Sequence, residues 1–368
     1  MDEKFFGIIF RVAAPTMGET ADIEILGKSM LSWVALSFGE SPYAVAPYND
    51  REPLPDQARA YLNPDYPVTV ILFSDTPLIT KKTVFAAVAE LKSTGKNVLR
   101  LTRGFVCSTQ FLMNAEKIYS AETRYFDAED FVTAFSFKQV ALISDILRNR
   151  ILEYHMERGV HIEDMASAFI GCDAVIGKGV VIGPNNIIRG KTYIKDGAKI
   201  LSGNMIDTCI IESGAVINSS QMTRSFIGRN TSVGPFAYIR PESVIGPDCR
   251  IGDFVEIKKS VLGRGCKVSH LTYIGDAELG EACNVGCGVV FANYDGRDKH
   301  KAKVGNRVFI GSNSNIIAPV TLADGAFIAA GSTITESVDK NALAIARARQ
   351  VVKTDWDNNK FRDGGGGE

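Results

Sequence analysis

The sequence has no excess of charge of either sign. Lys and Arg number 41 and Asp and Glu number 42 among 368 residues, a net charge of −1, so the charge balance does not favour non-specific binding to nucleic acid. No apolar run approaches the roughly 20 residues that cross a bilayer. The opening residues MDEKFFGIIF lack the basic stretch that precedes the apolar part of a signal peptide. We therefore expect neither a nucleic-acid partner nor membrane insertion.

The chain contains few cysteines. The seven cysteines are odd in number and show no CxxC spacing, which argues against a disulfide framework and against a zinc site. A reducing compartment, the cytoplasm, is the simplest location. With 45% hydrophobic and 23% charged residues, the chain has a globular composition with room for two domains.

An aliphatic residue recurs every six positions in the second part of the chain, a period that belongs to neither a helix nor an alternating strand. Three such units make one coil of a prism, and residues eighteen apart then stack on one face. We predict a parallel β-helix of nine to ten coils over about 168–340, with a loop projecting between Phe291 and Val304. The repeated positions are Ile170, Ile176, Ile182, Ile188, Ile194, Ile200 and Ile206, then Ile227, Val233, Ile239, Ile245, Ile251 and Ile257, and finally Ile310, Ile316, Leu322, Ile328 and Ile334.

The first part of the chain alternates strand and helix patterns. The apolar segment VTVILFSDTPLIT (68–80) predicts a buried strand, KKTVFAAVAELKSTGKN predicts an amphipathic helix, and NVLRLT (97–102) predicts the next strand. This order is typical of an α/β domain with a parallel sheet. We predict an α/β domain over 1–137, a helical linker over 138–167, the β-helix over 168–356 and a flexible tail over 357–368.

Parts of the first domain resemble sugar nucleotidyltransferases. Asp75 in FSDTPLIT is similar to the metal-binding aspartate of that family, and ILGKSML (25–31) is similar to the segment after its glycine-rich loop. The loop itself is replaced by GIIFRVAAPTMGET, and Phe135 or Ser136 stands where a second metal-binding Asn belongs. The resemblance therefore implies a degenerate domain without uridyl transfer and without a metal, in which Asp75 is a remnant.

The β-helix carries a more specific resemblance. The segments GPFAYIRP, GDFVEIKKSVLGRGCKVSHLTYIGDAELGEACNVGCG, ANYDGRDKHK, FIGSNSNIIAPVTL, GAFIAAGSTI and NALAIARARQ closely resemble the acetyltransferase half of the bacterial bifunctional glucosamine-1-phosphate N-acetyltransferase / N-acetylglucosamine-1-phosphate uridyltransferase family. The resemblance implies a left-handed β-helix, a homotrimer and transfer of acetyl from acetyl-CoA to glucosamine-1-phosphate, without a requirement for Mg²⁺. It is strong over about 165–356 and faint before that.

Two cations are the first candidate site residues. Arg240 and Lys258 are eighteen residues apart, so they should stack one coil apart, where neighbouring positive charges favour a bound anion. From the spacing alone, the alternative is that both are solvated surface residues that bind no ligand. The resemblance assigns both residues to the sugar phosphate.

His270 is the candidate general base. An amino sugar is mainly ammonium near neutral pH, so amide formation needs a base to remove a proton before nitrogen attacks a thioester. The resemblance gives this role to His270, whereas His155, His161 and His300 lie in helical, linker and loop contexts. It also assigns contacts with the sugar to four further residues: Tyr273, Asn284, Asn293 and Tyr294.

The donor site is also implied by the resemblance. The backbone amide at Cys287 is a candidate donor to the oxyanion of the thioester carbonyl. The alternative, a covalent route with Cys287 as nucleophile, lacks a histidine positioned beside it in the sequence. Ser269 and Cys287 depart from the Gly and Ala that are usual in the family. The other residues that the resemblance places on acetyl-CoA are Ser312, Ala330, Arg347 and Lys353.

Two further functional alternatives remain open. One is acylation of another amino sugar or of a sugar nucleotide on the same scaffold. The other is a trimer that binds metabolites without turnover. Retained uridyl transfer would require UTP consumption that depends on Asp75.

Overall fold

The computed structural model describes residues 4–118, 124 and 126–354. The predicted tail, 357–368, lies outside these residues. The chain divides into two compact units, Met1–Arg224 and Ser225–Glu368. None of the helices among the described residues is long and apolar enough to cross a membrane.

The first unit begins with an α/β domain. Its strands are β1 (Phe6–Arg11), β2 (Ala13–Ala14), β3 (Gly18–Glu19), β4 (Glu24–Ile25), β5 (Lys28–Ser29), β6 (Tyr43–Pro47), β7 (Val68–Phe73), β8 (Val98–Leu101) and β9 (Gly104–Ser108). Its helices are α1 (Met30–Leu36), α2 (Leu54–Arg59), α3 (Lys81–Thr94) and α4 (Thr109–Asn114), followed by a 3₁₀ helix (Ala128–Phe131).

The main sheet of this domain has the order β6-β1-β7-β9-β8. The β1 strand pairs in parallel with β6 and β7, but β9 pairs antiparallel with both β7 and β8. The predicted α/β class with a parallel sheet is confirmed, and β9, for which the sequence patterns make no prediction, adds an antiparallel strand between β7 and β8. The β8 and β9 strands form a hairpin through a tight turn at Thr102 and Arg103, and β9 lies between β7 and β8. An antiparallel hairpin of this kind needs no helical crossover.

Helices cover both faces of this sheet. All six residues of β7 are buried, which is the pattern of a strand packed on two sides. On one face Val70 and Leu72 pack with Val84 and Val88 of α3. On the other face Ile71 packs near α2 and α4.

The predicted helical segment forms α5 (Phe137–Met156), and the first short strand follows soon after it. His161 lies in that strand rather than in a linker. The remaining strands of the first unit are the short strands of the six-residue repeat. They are β10 (His161–Ile162), β11 (Phe169–Ile170), β12 (Val175–Ile176), β13 (Val181–Ile182), β14 (Ile187–Arg189), β15 (Tyr193–Ile194), β16 (Lys199–Ile200), β17 (Met205–Asp207), β18 (Ile210–Ile211), β19 (Val216–Ile217) and β20 (Gln221–Thr223). The predicted domain boundaries at 137/138 and 167/168 stay predictions.

The second unit continues the same repeat on three faces. The first face contains β22 (Ser232–Val233), β25 (Arg250–Asp253), β28 (Lys267–His270), β31 (Asn284–Val285), β34 (Phe309–Ile310), β37 (Phe327–Ile328) and β39 (Leu343–Ala344). The second contains β23 (Tyr238–Ile239), β26 (Glu256–Lys258), β29 (Tyr273–Gly275), β32 (Val290–Ala292), β35 (Asn315–Ile317) and β38 (Thr333–Ile334). The third contains β21 (Phe226–Ile227), β24 (Val244–Ile245), β27 (Val261–Leu262), β30 (Ala277–Leu279), β33 (Ala302–Val304) and β36 (Thr321–Leu322).

The repeated aliphatic side chains fill the interior of the prism. Ile239, Ile257 and Ile274 stack in register on the second face and are fully buried. Burying one such side chain stabilises the fold by about 2 kcal/mol. The parallel β-helix is thus confirmed, and the predicted loop projects between β32 and β33.

None of the seven cysteines, all of which lie within the described residues, forms a disulfide. Three of them stack in successive coils of the second unit and are buried, and each Sγ–H donates to a carbonyl of the following coil. Cys249 contacts Gly263 O at 3.1 Å, Cys266 contacts Gly280 O at 3.1 Å, and Cys283 contacts Gly305 O at 3.0 Å. These thiols are structural hydrogen-bond donors.

Candidate active site on the second unit

Two of the predicted cations lie at one edge of the second face. Ile239 pairs with Ile257, and the Arg240 N–H donates to Ile257 O at 2.8 Å, so Arg240 and Lys258 are neighbours in successive coils. The predicted stacking of these two residues is therefore observed. Arg240 also binds Glu256 Oε1 at 2.7 Å. Lys258 is largely buried and lies 3.7 Å from Asp276 Oδ2.

A third cation, Lys299, reaches this edge from the projecting loop. A backbone bridge between Tyr294 and Lys299 folds the loop back on itself. A hydrogen bond from the Lys258 ammonium and its positive charge lower the pKa of Lys299, while Asp276 acts in the opposite direction. Arg240, Lys258 and Lys299 are called the cation edge below.

Neutral polar groups line the second face beside the cation edge. The Asn293 amide is buried and donates to Asp276 Oδ2. The Tyr273 hydroxyl lies directly over Gly275, where a Cβ would come within 2.4 Å of it and within 2.8 Å of Asn293 Nδ2. The absence of a side chain at Gly275 therefore lets Tyr273 and Asn293 meet next to Lys258, which pairs in register with Gly275.

His270 ends β28, at the opposite edge of the second face. Its Nδ1 lies 2.6 Å from Asp253 Oδ1, and the two residues pair in register between β25 and β28. The hydrogen bond from His270 lowers the pKa of Asp253, so this carboxylate is ionised at neutral pH. Since β29 has three residues and a strand rises about 3.3 Å per residue, about 10 Å of polar surface separates His270 from the cation edge.

The predicted donor residues continue the column of His270. The Gly288 N–H donates to Leu271 O, the Asn313 N–H to Cys287 O and the Gly331 N–H to Ser312 O. This register places His270, Cys287, Ser312 and Ala330 one above another along one corner of successive coils. Successive members are about 4.8 Å apart. His270 thus neighbours Cys287 in the fold although not in the sequence, and Nδ1 of His270 is held by Asp253.

The remaining predicted residues lie around these groups. Asn284 lies on the first face, three residues before Cys287, and pairs in register with Lys267. Tyr294 is well exposed, and its hydroxyl donates to Gly296 O at 2.7 Å. Arg347 follows β39, and its Cδ lies near Gly331. Lys353 is exposed.

The carboxylate of Asp75, in the first unit, is bound by Arg103. Arg103 donates to both of its carboxylate oxygens, at 3.3 and 2.8 Å, and stacks over Phe73 at 4.3 Å. Burial raises the pKa of Asp75, and Arg103 opposes that shift. Within the described part of the chain no three His, Cys, Asp or Glu residues are grouped to hold a metal ion. The guanidinium of Arg103 is therefore the cation that neutralises Asp75 in this structure.

Sequence reasoning missed Asp253, Lys299 and Arg103. Asp253 precedes His270 by seventeen residues rather than eighteen, because the repeat slips by one position between these coils. Lys299 belongs to a loop with no period. Arg103 reaches Asp75 only because β9 turns back antiparallel, which the predicted parallel order did not include.

Two family models match the chain. One is described as the GMPPB C-terminal domain and matches residues 221–294, and the other is described as bacterial transferase hexapeptide (six repeats) and matches 301–336. The hexapeptide match agrees with the predicted left-handed β-helix.

Curated relatives named bifunctional protein GlmU confirm the resemblance seen in the motifs. The protein from Clostridium acetobutylicum is 50% identical over 232 residues, which cover 63% of this chain and 51% of the relative. The protein from Clostridium novyi is 53% identical over 218 residues, covering 59% and 48%. The chain thus spans about half the length of the curated relatives it matches.

Solved structures show weaker likeness. The Arabidopsis UDP-N-acetylglucosamine acyltransferase is 21% identical with a TM-score of 0.33, covering 51% of this chain and 70% of that one. The Campylobacter jejuni UDP-N-acetylglucosamine acyltransferase is 19% identical with a TM-score of 0.30, covering 55% and 74%.

Proposed function

We propose that this protein transfers acetyl from acetyl-CoA to the amine of glucosamine-1-phosphate and forms N-acetylglucosamine-1-phosphate. The single observation that carries the proposal is that one polar face has a cluster of cations at one edge and a carboxylate-bound imidazole at the other. An anionic amino sugar has the matching groups, a phosphate and an amine that must lose a proton. The similarity to the bifunctional GlmU proteins supports the choice of this acceptor.

The cation edge binds the phosphate in this proposal. Arg240 supplies a planar set of donors, and Lys258 and Lys299 supply two ammonium groups. Asp276 and Glu256 hold these cations in place before the ligand arrives. Tyr273, Asn284, Asn293 and Tyr294 contact the sugar, because neutral hydroxyl and amide groups exchange hydrogen bonds with sugar hydroxyls.

His270 is the general base. Nε2 takes a proton from the substrate nitrogen, whose lone pair forms a bond with the carbonyl carbon of the thioester. The carbonyl oxygen gains negative charge in the tetrahedral intermediate and receives a hydrogen bond from the Cys287 backbone N–H. The C–S bond then breaks, the thiolate leaves, and the proton on His270 neutralises it. An amide and free coenzyme A are the products.

The corner above His270 binds acetyl-CoA. Ser312 and Ala330 are small enough for an extended pantetheine arm to pass along the stacked coils, and Arg347 and Lys353 bind its phosphates. Direct transfer is proposed rather than a Cys287 thioester because the family that the chain resembles transfers acetyl directly. Cys287→Ala should therefore keep most activity, whereas a covalent route would lose it.

The assembly is proposed to be a cytoplasmic homotrimer, as the resemblance implies. The stacked rings of Phe236 and Phe254, with centroids 5.5 Å apart, are more than half exposed. Apolar surface of this kind is often covered by a subunit contact. Light scattering on the purified protein tests the trimer, and a monomer at working concentration contradicts it.

Uridyl transfer is proposed to be lost. Arg103 holds both oxygens of Asp75, and the chain has GIIFRVAAPTMGET where a phosphate-binding glycine-rich loop belongs. Incubation with UTP, Mg²⁺ and N-acetylglucosamine-1-phosphate should release no pyrophosphate. Release that disappears in Asp75→Asn would contradict this.

The acetyltransferase proposal is tested by thiol release. Purified protein is mixed with acetyl-CoA and glucosamine-1-phosphate, with glucosamine-6-phosphate and UDP-glucosamine as comparison acceptors. We expect release that requires the 1-phosphate and falls roughly 10²- to 10⁴-fold in His270→Ala. Faster release with UDP-glucosamine would favour the sugar-nucleotide alternative, and no release from a folded trimer would favour a non-catalytic binding protein.

A further inference from the structure

We propose that Asp253 is a positioning residue that holds His270 in the tautomer with the proton on Nδ1 and leaves Nε2 free to accept a proton. This inference rests on the proposed acetyl transfer. It is carried by the 2.6 Å contact between His270 Nδ1 and Asp253 Oδ1. A carboxylate accepts a hydrogen bond and cannot donate one, so the nitrogen that faces it carries the proton.

The backbone fixes this contact. Asp253 and His270 end strands that pair over Arg250–Asp253 and Lys267–His270, and the Leu271 N–H donates to Asp253 O at 2.9 Å. Gly252 allows the two strands to approach closely, since a Cβ there would lie 2.0 Å from Ser269 O. Both side chains therefore extend from fixed backbone positions on neighbouring coils. Little conformational entropy is lost when they form the contact.

The groups that face His270 from each neighbouring element differ in charge. Asp253 lies on the coil before it and Cys287 on the coil after it, while Arg250 and Lys267 lie three residues earlier on β25 and β28. Tyr273 follows on β29. Of these groups only Asp253 is an acid and only Asp253 touches the ring in the described contacts, so it is the group that stabilises the imidazolium.

The contact affects both the start and the middle of the reaction. Before transfer, Nε2 has its lone pair directed away from Asp253. After the amine proton moves to Nε2, the ring is a cation beside an ionised carboxylate, which stabilises that intermediate state. The proton passes on to the leaving thiolate, and Asp253 remains ionised throughout.

Three variants test this role by kinetics. Asp253→Asn keeps an acceptor oxygen but removes the charge, Asp253→Ala removes both, and Asp248→Asn is the matched control. Asp248 lies one turn earlier and pairs with exposed Arg264 at 2.5 Å. We expect kcat to fall roughly 10- to 100-fold in Asp253→Ala, with an intermediate effect in Asp253→Asn, unchanged KM for both substrates and wild-type rates in Asp248→Asn.

The matched control separates this role from a general loss of stability. An equal fall in kcat in Asp248→Asn overturns the proposal.

The tautomer is measured without turnover. The chain has four histidines, so ¹⁵N-labelled histidine gives a simple long-range ¹⁵N–¹H spectrum, in which His270→Gln identifies the His270 signals. We expect the Nδ1–H form in the wild type and the Nε2–H form in Asp253→Ala. An Nε2–H form in both proteins overturns the proposal even if the enzyme is active. If the spectra are as expected but no acceptor gives thiol release, the proposed function is contradicted. The contact between Asp253 and His270 would then still be supported.

Discussion

Lys299, in the loop between β32 and β33, lies against Lys258 at the end of β26. Two ammonium groups repel each other, and the pKa of Lys299 is lowered by the hydrogen bond from Lys258 and by its charge. An anion placed between them relieves the repulsion. The loop is thus held in a conformation that favours binding of an anion.

The first prediction concerns the pH dependence of phosphate binding. Because the pKa of Lys299 is lowered in the free protein, its charge is lost at a lower pH than for an ordinary lysine. A bound phosphate favours the charged form, so affinity should fall as pH rises through that lowered pKa. Calorimetry with the product N-acetylglucosamine-1-phosphate between pH 7.5 and 10 measures this without titration of a substrate amine.

Variants in the same loop separate the contributions to phosphate binding of the two lysines that flank His300. Lys299→Arg stays charged and should flatten the alkaline loss, whereas Lys299→Gln should bind roughly 10-fold more weakly at pH 7.5, the loss of one charged hydrogen bond. Lys301 pairs with Glu278 instead, so Lys301→Gln is the control. An alkaline loss that persists in Lys299→Gln would show that another group titrates.

The second prediction concerns Gly275→Ala. The new methyl group would lie 2.4 Å from Tyr273 Oη and 2.8 Å from Asn293 Nδ2, and both are ends of side chains that can move. We expect a shift of less than about 1 kcal/mol in the free energy of unfolding, because no backbone atom is displaced. Activity should fall at least 10-fold, since the acceptor loses two positioned groups. Denaturant unfolding and thiol release measure the two effects.

Gly171→Ala is the matched control. A Cβ at Gly171 meets its neighbours at ordinary contact distances of 3.5 Å or more, and this glycine is far from the site in sequence. The control should change neither stability nor activity appreciably. Full activity in Gly275→Ala would mean that Tyr273 and Asn293 are not held as the contact implies.

The period-six pattern predicted the parts of this protein that depend on burial. Every coil needs an inward aliphatic residue, so the positions of Ile239 and Ile257 determine where Arg240 and Lys258 stack. The pairing of Asp253 with His270 depends on a one-residue slip, which leaves the inward positions filled and so leaves little trace in the pattern. Lys299 comes from a loop whose path is set by tertiary contacts. In the first domain, the hairpin at Arg103 depends on local backbone geometry that an apolar strand pattern does not encode.

The third prediction concerns Arg103→Met. The pKa of Asp75 is already raised by burial, and removing Arg103 leaves a buried carboxylate without its partner. We expect a loss of about 2 kcal/mol of stability at pH 7, the value of a charged hydrogen bond. The loss should shrink as pH falls through the raised pKa, because protonated Asp75 carries no charge to compensate. Urea unfolding at pH 7 and pH 4.5 measures this.

Arg264→Met provides the comparison, since its ion pair with Asp248 is exposed and should contribute at most about 1 kcal/mol. Asp75→Asn combined with Arg103→Met should recover part of the stability. An equal loss at both pH values would show that the contribution of Arg103 is its stacking on Phe73 rather than its charge.

The fourth prediction concerns the contact that closes the loop carrying Lys299. Asp295 Oδ2 lies 2.7 Å from His300 Nε2, and Asp295 Oδ1 accepts the N–H groups of Arg297 and Asp298. These hydrogen bonds, that from His300 above all, lower the pKa of Asp295 to about 2. Asp295 is therefore ionised throughout the working range, and its bond to His300 holds the two ends of the turn together.

His300→Gln and Asp295→Asn should loosen this turn and move Lys299 away from Lys258. We expect a 3- to 10-fold rise in KM for glucosamine-1-phosphate, which corresponds to roughly 1 kcal/mol, with little change in kcat or in KM for acetyl-CoA.

Asp298→Asn is the control, because it makes the same charge change in the same loop. Among the described residues, the Asp298 side chain has no hydrogen bond or ion pair. Trypsin should cut at Arg297 and Lys299 faster in the two loosened variants than in Asp298→Asn. Equal cleavage and equal KM in all three would show that the loop is held by the Tyr294–Lys299 bridge rather than by Asp295 and His300, because that backbone pairing is the other contact joining the two sides of the turn.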